Sequence, residues 1–160
     1  MKKSLLLLTT LLALVTSGCG QKDASSTAAA APAGPREIEL TAGDTMKYNI
    51  TAIEAKPGEE IKVSLTNIGT QPVEVMGHNW VLLKAGSDVA AFDAAALTAK
   101  VTGYFPESLS SEVIAHIELQ GPRKTGEVTF KVPTTPGDYP FLCTFPAHYQ
   151  VGMKGILTVK

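Results

Sequence analysis

Eight short stretches of alternating or β-branched residues, each closed by a turn signal, constrain this chain more than any other feature. They are REIEL (36–40), MKYNITAIE (46–54), EIKVSLTN (60–67), VEVMGHNWVLL (73–83), EVIAHIEL (112–119), GEVTFKV (126–132), YPFLC (139–143) and GILTVK (155–160). Gly43-Asp44, Pro57-Gly58, Gly69, Gly121-Pro122 and Pro136-Gly137 punctuate them. Many short strands with frequent turns predict an all-β sandwich or barrel of about eight strands. One segment breaks the pattern. Residues 87–101 are Ala-rich, with apolar Val89, Phe92, Ala96 and Leu97 at helical spacing and Ser87-Asp88 as a cap. They predict a short helix or flap inserted between two strands, with Gly103 and Pro106 returning the chain.

The N-terminus reads as an address. Met1-Lys2-Lys3 precedes an apolar run at 4–15, which is too short to span a bilayer as a helix and has the length of a secretory h-region. Thr16-Ser17-Gly18-Cys19 follows, and small residues before a cysteine resemble the bacterial lipobox. Residues 1–18 are then a lipoprotein leader and Cys19 the lipidated N-terminus, although the usual Leu is replaced by Thr16. The bland alternative is ordinary leader cleavage nearby, with Cys19 incidental. Residues 19–35, rich in Ala, Ser, Gly and Pro, have little to bury and predict a flexible tether. The folded domain is expected at 36–160, in the cell envelope, with Gly20 after the lipidated cysteine favouring the outer membrane.

Charge excludes one large class. The 160 residues carry 14 Lys+Arg against 15 Asp+Glu, a formal charge of −1. Losing residues 1–18 removes two lysines and leaves 12 against 15, or −3. No basic field remains for nucleic acid.

The chemistry lies in CTFPAHYQVGM (143–153), where a thiol, an imidazole and a thioether fall between two strands. His78, in MGHNW, is the remaining candidate. Two histidines, one cysteinate and a weak axial methionine are the ligand set of a blue copper electron-transfer site. A trigonal site of two nitrogens and one sulfur lies between the preferences of Cu(I) and Cu(II). Little rearrangement then accompanies oxidation, and the thiol is deprotonated by the metal itself. Each residue also has a plainer reading: Cys143 as a small buried hydrophobe, Met153 as core filling, His78 as a strand histidine. An exported cysteine with no pairing partner, flanked by His and Met, favours the metal. His116, in VIAHIEL, reads as a surface histidine.

From about Arg36 to Lys160 the chain resembles the azurin branch of the cupredoxins. The matching segments, in order, are MGHNWVL (76–82), VIAHIELQG (113–121), VTF (128–130) and CTFPAH…MKGILTVK (143–160). The resemblance implies a Greek-key β-sandwich holding one copper ion. It assigns His78, Cys143 and His148 as equatorial ligands, Met153 as the axial one and the Gly77 carbonyl as an opposing contact. It further implies that Asn79 ties the ligand loops together through Thr144, and that the amides of Asn79 and Phe145 point at the sulfur. His148 would reach the surface with its far edge, amid an apolar partner patch of Met76, Pro146, Ala147 and Val151. Redox proteins such as c-type cytochromes or respiratory enzymes are the implied partners, with no small-molecule substrate.

Three departures stand out. The loop reads C-x4-H-x4-M where azurins have C-x4-H-x3-M; Gly152 is the addition, and the longer loop is closer to the rusticyanin and auracyanin type. No cysteine remains for the structural disulfide of azurins. Asn67 stands where many azurins carry a titrating histidine, so no pH-linked potential is expected from that source. Two other functions compete with electron carriage. An oxidase or nitrite reductase needs a second copper and more histidines than His116 alone; copper storage or delivery is the closer alternative, although such sites tend to be exposed and rich in Met or Cys.

Overall fold

The computed structural model describes residues 34–160. The expected leader, Cys19 and nearly all of the tether lie outside the described residues. Strands β1 (Arg36–Ala42), β3 (Glu60–Asn67) and β6 (Thr125–Lys131) form one sheet in that order. The other runs β2 (Ala52–Ala55), β8 (Lys154–Val159), β7 (Gly137–Leu142), β4 (His78–Leu83) and β5 (Val113–Gln120). Two pairings are parallel, β1 with β3 and β2 with β8, and the rest are antiparallel.

Period-two patterning builds the core. Ile61, Val63, Leu65 and Asn67 of β3 turn inward, as do Ile38 and Leu40 of β1. Trp80, Leu82, Ile117, Phe141 and Leu157 face them from the larger sheet. Full burial of such an apolar side chain stabilises by about 1.5–3 kcal/mol. β4 shows no alternation because both of its faces are covered. Its second face, Val81 and Leu83, packs with Leu142 and with Phe92 of helix α2 (Val89–Ala96). The inserted segment is thus a lid over the outer face of the larger sheet.

Three expectations are corrected. Residues 46–51 are not strand: this stretch crosses from one sheet to the other. The Asn49 amide still bonds the Thr41 carbonyl at 3.1 Å, while the Thr51 carbonyl already accepts from Ile156 at 2.9 Å. Residues 73–76 form a single helical turn, α1 (Val73–Met76), because the Pro72 carbonyl collects the amides of Val75 and Met76. The helix within 87–101 is shorter than expected and continues as 3-10 turns at Lys100–Thr102 and Glu107–Glu112. Its cap is as expected, the Asp88 carboxylate accepting from the Ala91 amide at 3.0 Å. Leu97, however, is exposed.

The strand registers define two poles. Arg36, Ala55 and Val159 lie at one, where Arg36 Nη2 bonds the Glu54 carbonyl and the Lys160 amide the Ala55 carbonyl. Ala42, Asn67, Gln120, His78 and Leu142 lie at the other. The chain enters the sandwich at the first pole, and its metal-type side chains collect at the second.

Candidate metal centre

Backbone pairing draws the candidate ligands together. β7 and β8 are hydrogen-bonded neighbours ending at Leu142 opposite Lys154, and the ladder continues one step further as the Cys143 amide donates to the Met153 carbonyl at 3.1 Å. The Met153 amide in turn donates to the His148 carbonyl at 2.9 Å. Cys143, His148 and Met153 are therefore linked through main chain alone. The loop between them folds back through His148 N–H to Phe145 C=O (3.1 Å) and Val151 N–H to Ala147 C=O (3.2 Å). Ala147 and Gly152 take positive φ, 71° and 94°. Glycine meets that demand at 152 without cost.

His78 arrives from β4, where a register shift between His78 and Trp80 re-aims the strand end. Gly77 before it has ordinary φ, so conformational freedom is not its purpose. A Cβ there would stand 2.7 Å from the Val73 carbonyl and 2.8 Å from Leu119 Cγ, so only glycine lets α1 close down on β5. Asn79, next along, binds Thr144 twice: its Nδ2 donates to Thr144 Oγ1 (2.7 Å) and its Oδ1 accepts from the Thr144 amide (2.8 Å). Thr144 Oγ1 then donates to the Tyr104 carbonyl at 2.6 Å, which joins the inserted segment to the same network.

Ligand atoms of His78, Cys143 and His148 lie within 4.8 Å of one another, and all three residues are buried. Cys143 Sγ is 3.4 Å from His148 Nδ1, and the two imidazole centroids are 5.0 Å apart. Neither ring nitrogen of His78 has a hydrogen-bond partner. The Gly43 carbonyl and the Asp44 charge stand near enough to favour its protonation weakly, but burial dominates and lowers its pKa. Burial likewise takes His148 down to about 4, with the His78 charge adding to it. Cys143 is pushed up to about 12 by burial, against hydrogen bonds from the Asn79 and Phe145 amides to its sulfur. A thiol so placed ionises when a cation takes its proton's place. Buried polar atoms ordinarily find partners, and each orphan costs about 1–3 kcal/mol. Two neutral imidazoles, one of them with both nitrogens unpartnered, converging with a sulfur fit a soft or borderline metal ion. Met153 is fully buried in the core cluster that includes Cys143.

The comparisons decide the lineage. A profile of copper-binding proteins of the plastocyanin/azurin family matches residues 36–160. This chain belongs to that family. It is 35% identical over 127 residues to azurin of Pseudomonas fluorescens biotype A, spanning 78% of this chain and 98% of the relative. Auracyanin-B of Chloroflexus aurantiacus is 32% identical over 142 residues, 82% of this chain and 59% of that protein. Among solved structures, a dithionite-reduced auracyanin from Roseiflexus castenholzii superposes with a TM-score of 0.70 at 36% identity, covering 79% of this chain and 99% of the other. The fold is thus a cupredoxin sandwich, the family is one of blue copper electron carriers, and the cofactor is copper.

Other site residues fall as follows. Ala147 and Val151 are exposed at the metal pole, with Met76 and Pro146 half-buried. His148 is 2% exposed, packed by Phe145 at 4.8 Å and by His78, so little more than an edge of it can meet solvent. Sequence reasoning missed Ile68 and Val75, which are 62% and 56% exposed at the same pole. It also missed Tyr48, a buried phenol donating to the Asn79 carbonyl at 2.5 Å. No local periodicity marks either. Cys143 is a free cysteine, and the described residues show no disulfide. Asn67 is fully engaged: its Nδ2 donates to the Met76 (3.3 Å) and Gln120 (3.0 Å) carbonyls, and its Oδ1 accepts from the Gly69 amide (2.8 Å). It fastens α1 and β5 to β3 with a group that does not titrate. His116 is exposed and stacks on Phe105 at 4.3 Å.

The imidazoles give the copper-free protein an acid limit. Between the ordinary 6.5 and about 4, the unfolded chain binds a proton at residue 148 that the folded chain refuses. Stability therefore falls as pH drops through that window. Urea midpoints of copper-free protein should be lower at about pH 5 than at about pH 7, and His148→Gln should flatten the difference; equal wild-type midpoints would contradict this.

Proposed function

We propose that this chain is a membrane-anchored blue copper protein that carries single electrons between redox partners of the bacterial cell envelope. The observation that carries the reading is the buried convergence of His78, Cys143 and His148 with both His78 nitrogens unpartnered. His78, Cys143 and His148 would hold the copper, with Met153 and the Gly77 carbonyl as further candidate donors. Bound copper supplies a Cu(II)/Cu(I) couple. The protein's part is to hold still: Asn79 and Thr144 lock the two loops, and the Asn79 and Phe145 amides stabilise negative charge on sulfur. Burial of the three side chains would keep water away from a bound ion. Met76, Pro146, Ala147 and Val151, widened by Ile68 and Val75, form the docking patch for c-type cytochromes or respiratory enzymes. An exposed apolar patch of that kind suits brief contacts.

Anchoring rests on Cys19 and the leader-like 1–18, with 19–35 as tether. Storage or delivery of copper is disfavoured by full burial of the cluster, since metal hand-over needs ligands a recipient can reach. A second-copper enzyme is disfavoured as well, because His116 lies on the surface away from any comparable cluster among the described residues.

Titrating copper into the full chain should produce intense visible absorption from thiolate-to-copper charge transfer, saturating at one copper per chain. Cys143→Ser should be colourless. A pale protein that exchanges copper rapidly would support storage instead. In cells, Cys19→Ser should move the protein from the membrane to the soluble fraction, and an unchanged distribution would remove the anchor.

A further inference from the structure

The ligand loop is one residue longer than in azurins, and its extra length falls between His148 and Met153. Two contacts grip that stretch from opposite sides. From the crossing segment, Lys47 Nζ donates to the Val151 carbonyl. From the inserted helix, Asp93 Oδ2 accepts from Gln150 Nε2. Each adds a tie to a segment that also meets the site elsewhere, the crossing segment through Tyr48 and the inserted one through Tyr104.

Resting on the copper reading above, we propose that Lys47 and the Asp93–Gln150 pair clamp this longer loop and thereby fix where Met153 stands relative to the other ligands. Main chain already ties the end of the loop to β7 and to His148: Met153 C=O accepts from Cys143 N–H at 3.1 Å and Met153 N–H donates to His148 C=O at 2.9 Å, while Gly152 N–H bonds Tyr149 C=O at 2.9 Å. The side-chain contacts act on the crest between those bonds, at Gln150 and Val151. Lys47 offers a charged donor to a carbonyl, a stronger bond than a neutral one. Its ammonium lies over Gly152, where a Cβ would stand 2.9 Å from Nζ. The additional residue is a glycine because of its positive φ, and a side chain there would push the lysine head aside.

The opposite grip is stiff for a different reason. Asp93 is buried within α2, and its Oδ1 has no partner. Gln150 is its one side-chain bond, so losing that bond strands a carboxyl group in the interior. Helix α2 is itself seated by Phe92 against β4. The inserted segment, joined to the site network through the Tyr104 carbonyl, thus also reaches the ligand loop through one buried aspartate. These are positioning residues: neither Lys47, Asp93 nor Gln150 belongs to the ligand cluster.

The test uses the full chain with Gln150→Leu, Lys47→Met and Asp93→Asn, the last keeping an oxygen acceptor for Gln150. In copper-free protein, amide exchange at Gly152 and Met153 should be about tenfold faster in Q150L and K47M, and near wild type in D93N. In copper-loaded protein, the same two variants should alter the ratio of the charge-transfer bands and shift the potential, with D93N again close to wild type. Unchanged exchange in Q150L and K47M overturns the clamp. So does faster exchange with wild-type spectrum and potential, which would make the contacts structural only. If D93N behaves like Q150L, the hydrogen bond is not the operative contact, and that arm of the clamp is wrong. A wild type that binds no copper would sink the function proposed above, while the exchange measurement still decides the clamp.

Discussion

Asn79 and Thr144 are 65 residues apart and share two hydrogen bonds of 2.7 and 2.8 Å in the interior. That pair joins the strand carrying His78 to the loop carrying Cys143, and the cluster exists because the two cannot drift apart. Around it the network is closed: the Thr144 hydroxyl donates to the Tyr104 carbonyl, and Tyr48 donates to the Asn79 carbonyl. Every polar group in this supporting network is satisfied within the protein. Trp80 Nε1 and Asp93 Oδ1 lack partners away from the centre, and at the centre itself both nitrogens of the His78 ring do. Such an arrangement keeps unfavourable free energy where a metal ion removes it.

The sandwich makes that arrangement tolerable. Its two inner faces bury a continuous apolar cluster, and the inserted segment seals the outer face of β4. A strand buried on both sides is a stiffer mount for His78 than one wetted on one side. Stiffness matters because charge transfer through a centre that rearranges is slow, and supporting residues locked by packing keep ligand geometry fixed. Catalytic turnover asks for motion; electron carriage asks for its absence.

Much of this was legible from residues alone, for reasons that differ by element. β3 was readable to the residue because strict alternation over 60–67 has one physical meaning. The ligands were readable because three kinds of metal-binding side chain fall within 11 residues of a chain with few of them. Val73–Met76 misled because VEVM alternates like a strand, whereas the Pro72 carbonyl makes it a turn. Residues 46–51 misled because β-branched composition describes a crossing segment as well as a strand. Tyr48, Asp93, Gln150 and Lys47 were invisible: each acts through a single contact with a distant segment, and such pairs leave no period in the sequence.

The central claim is that the protein, without its metal, already holds the ligands where copper needs them. The most direct measurement is a pair of crystal structures of the full chain, copper-free and copper-loaded. The account expects His78, Cys143 and His148 to keep their rotamers, with ligand atoms coinciding to within about 0.5 Å. An imidazole that swings out of the cluster in one of the two structures would contradict it, since the site would then be assembled by the metal and not by the fold.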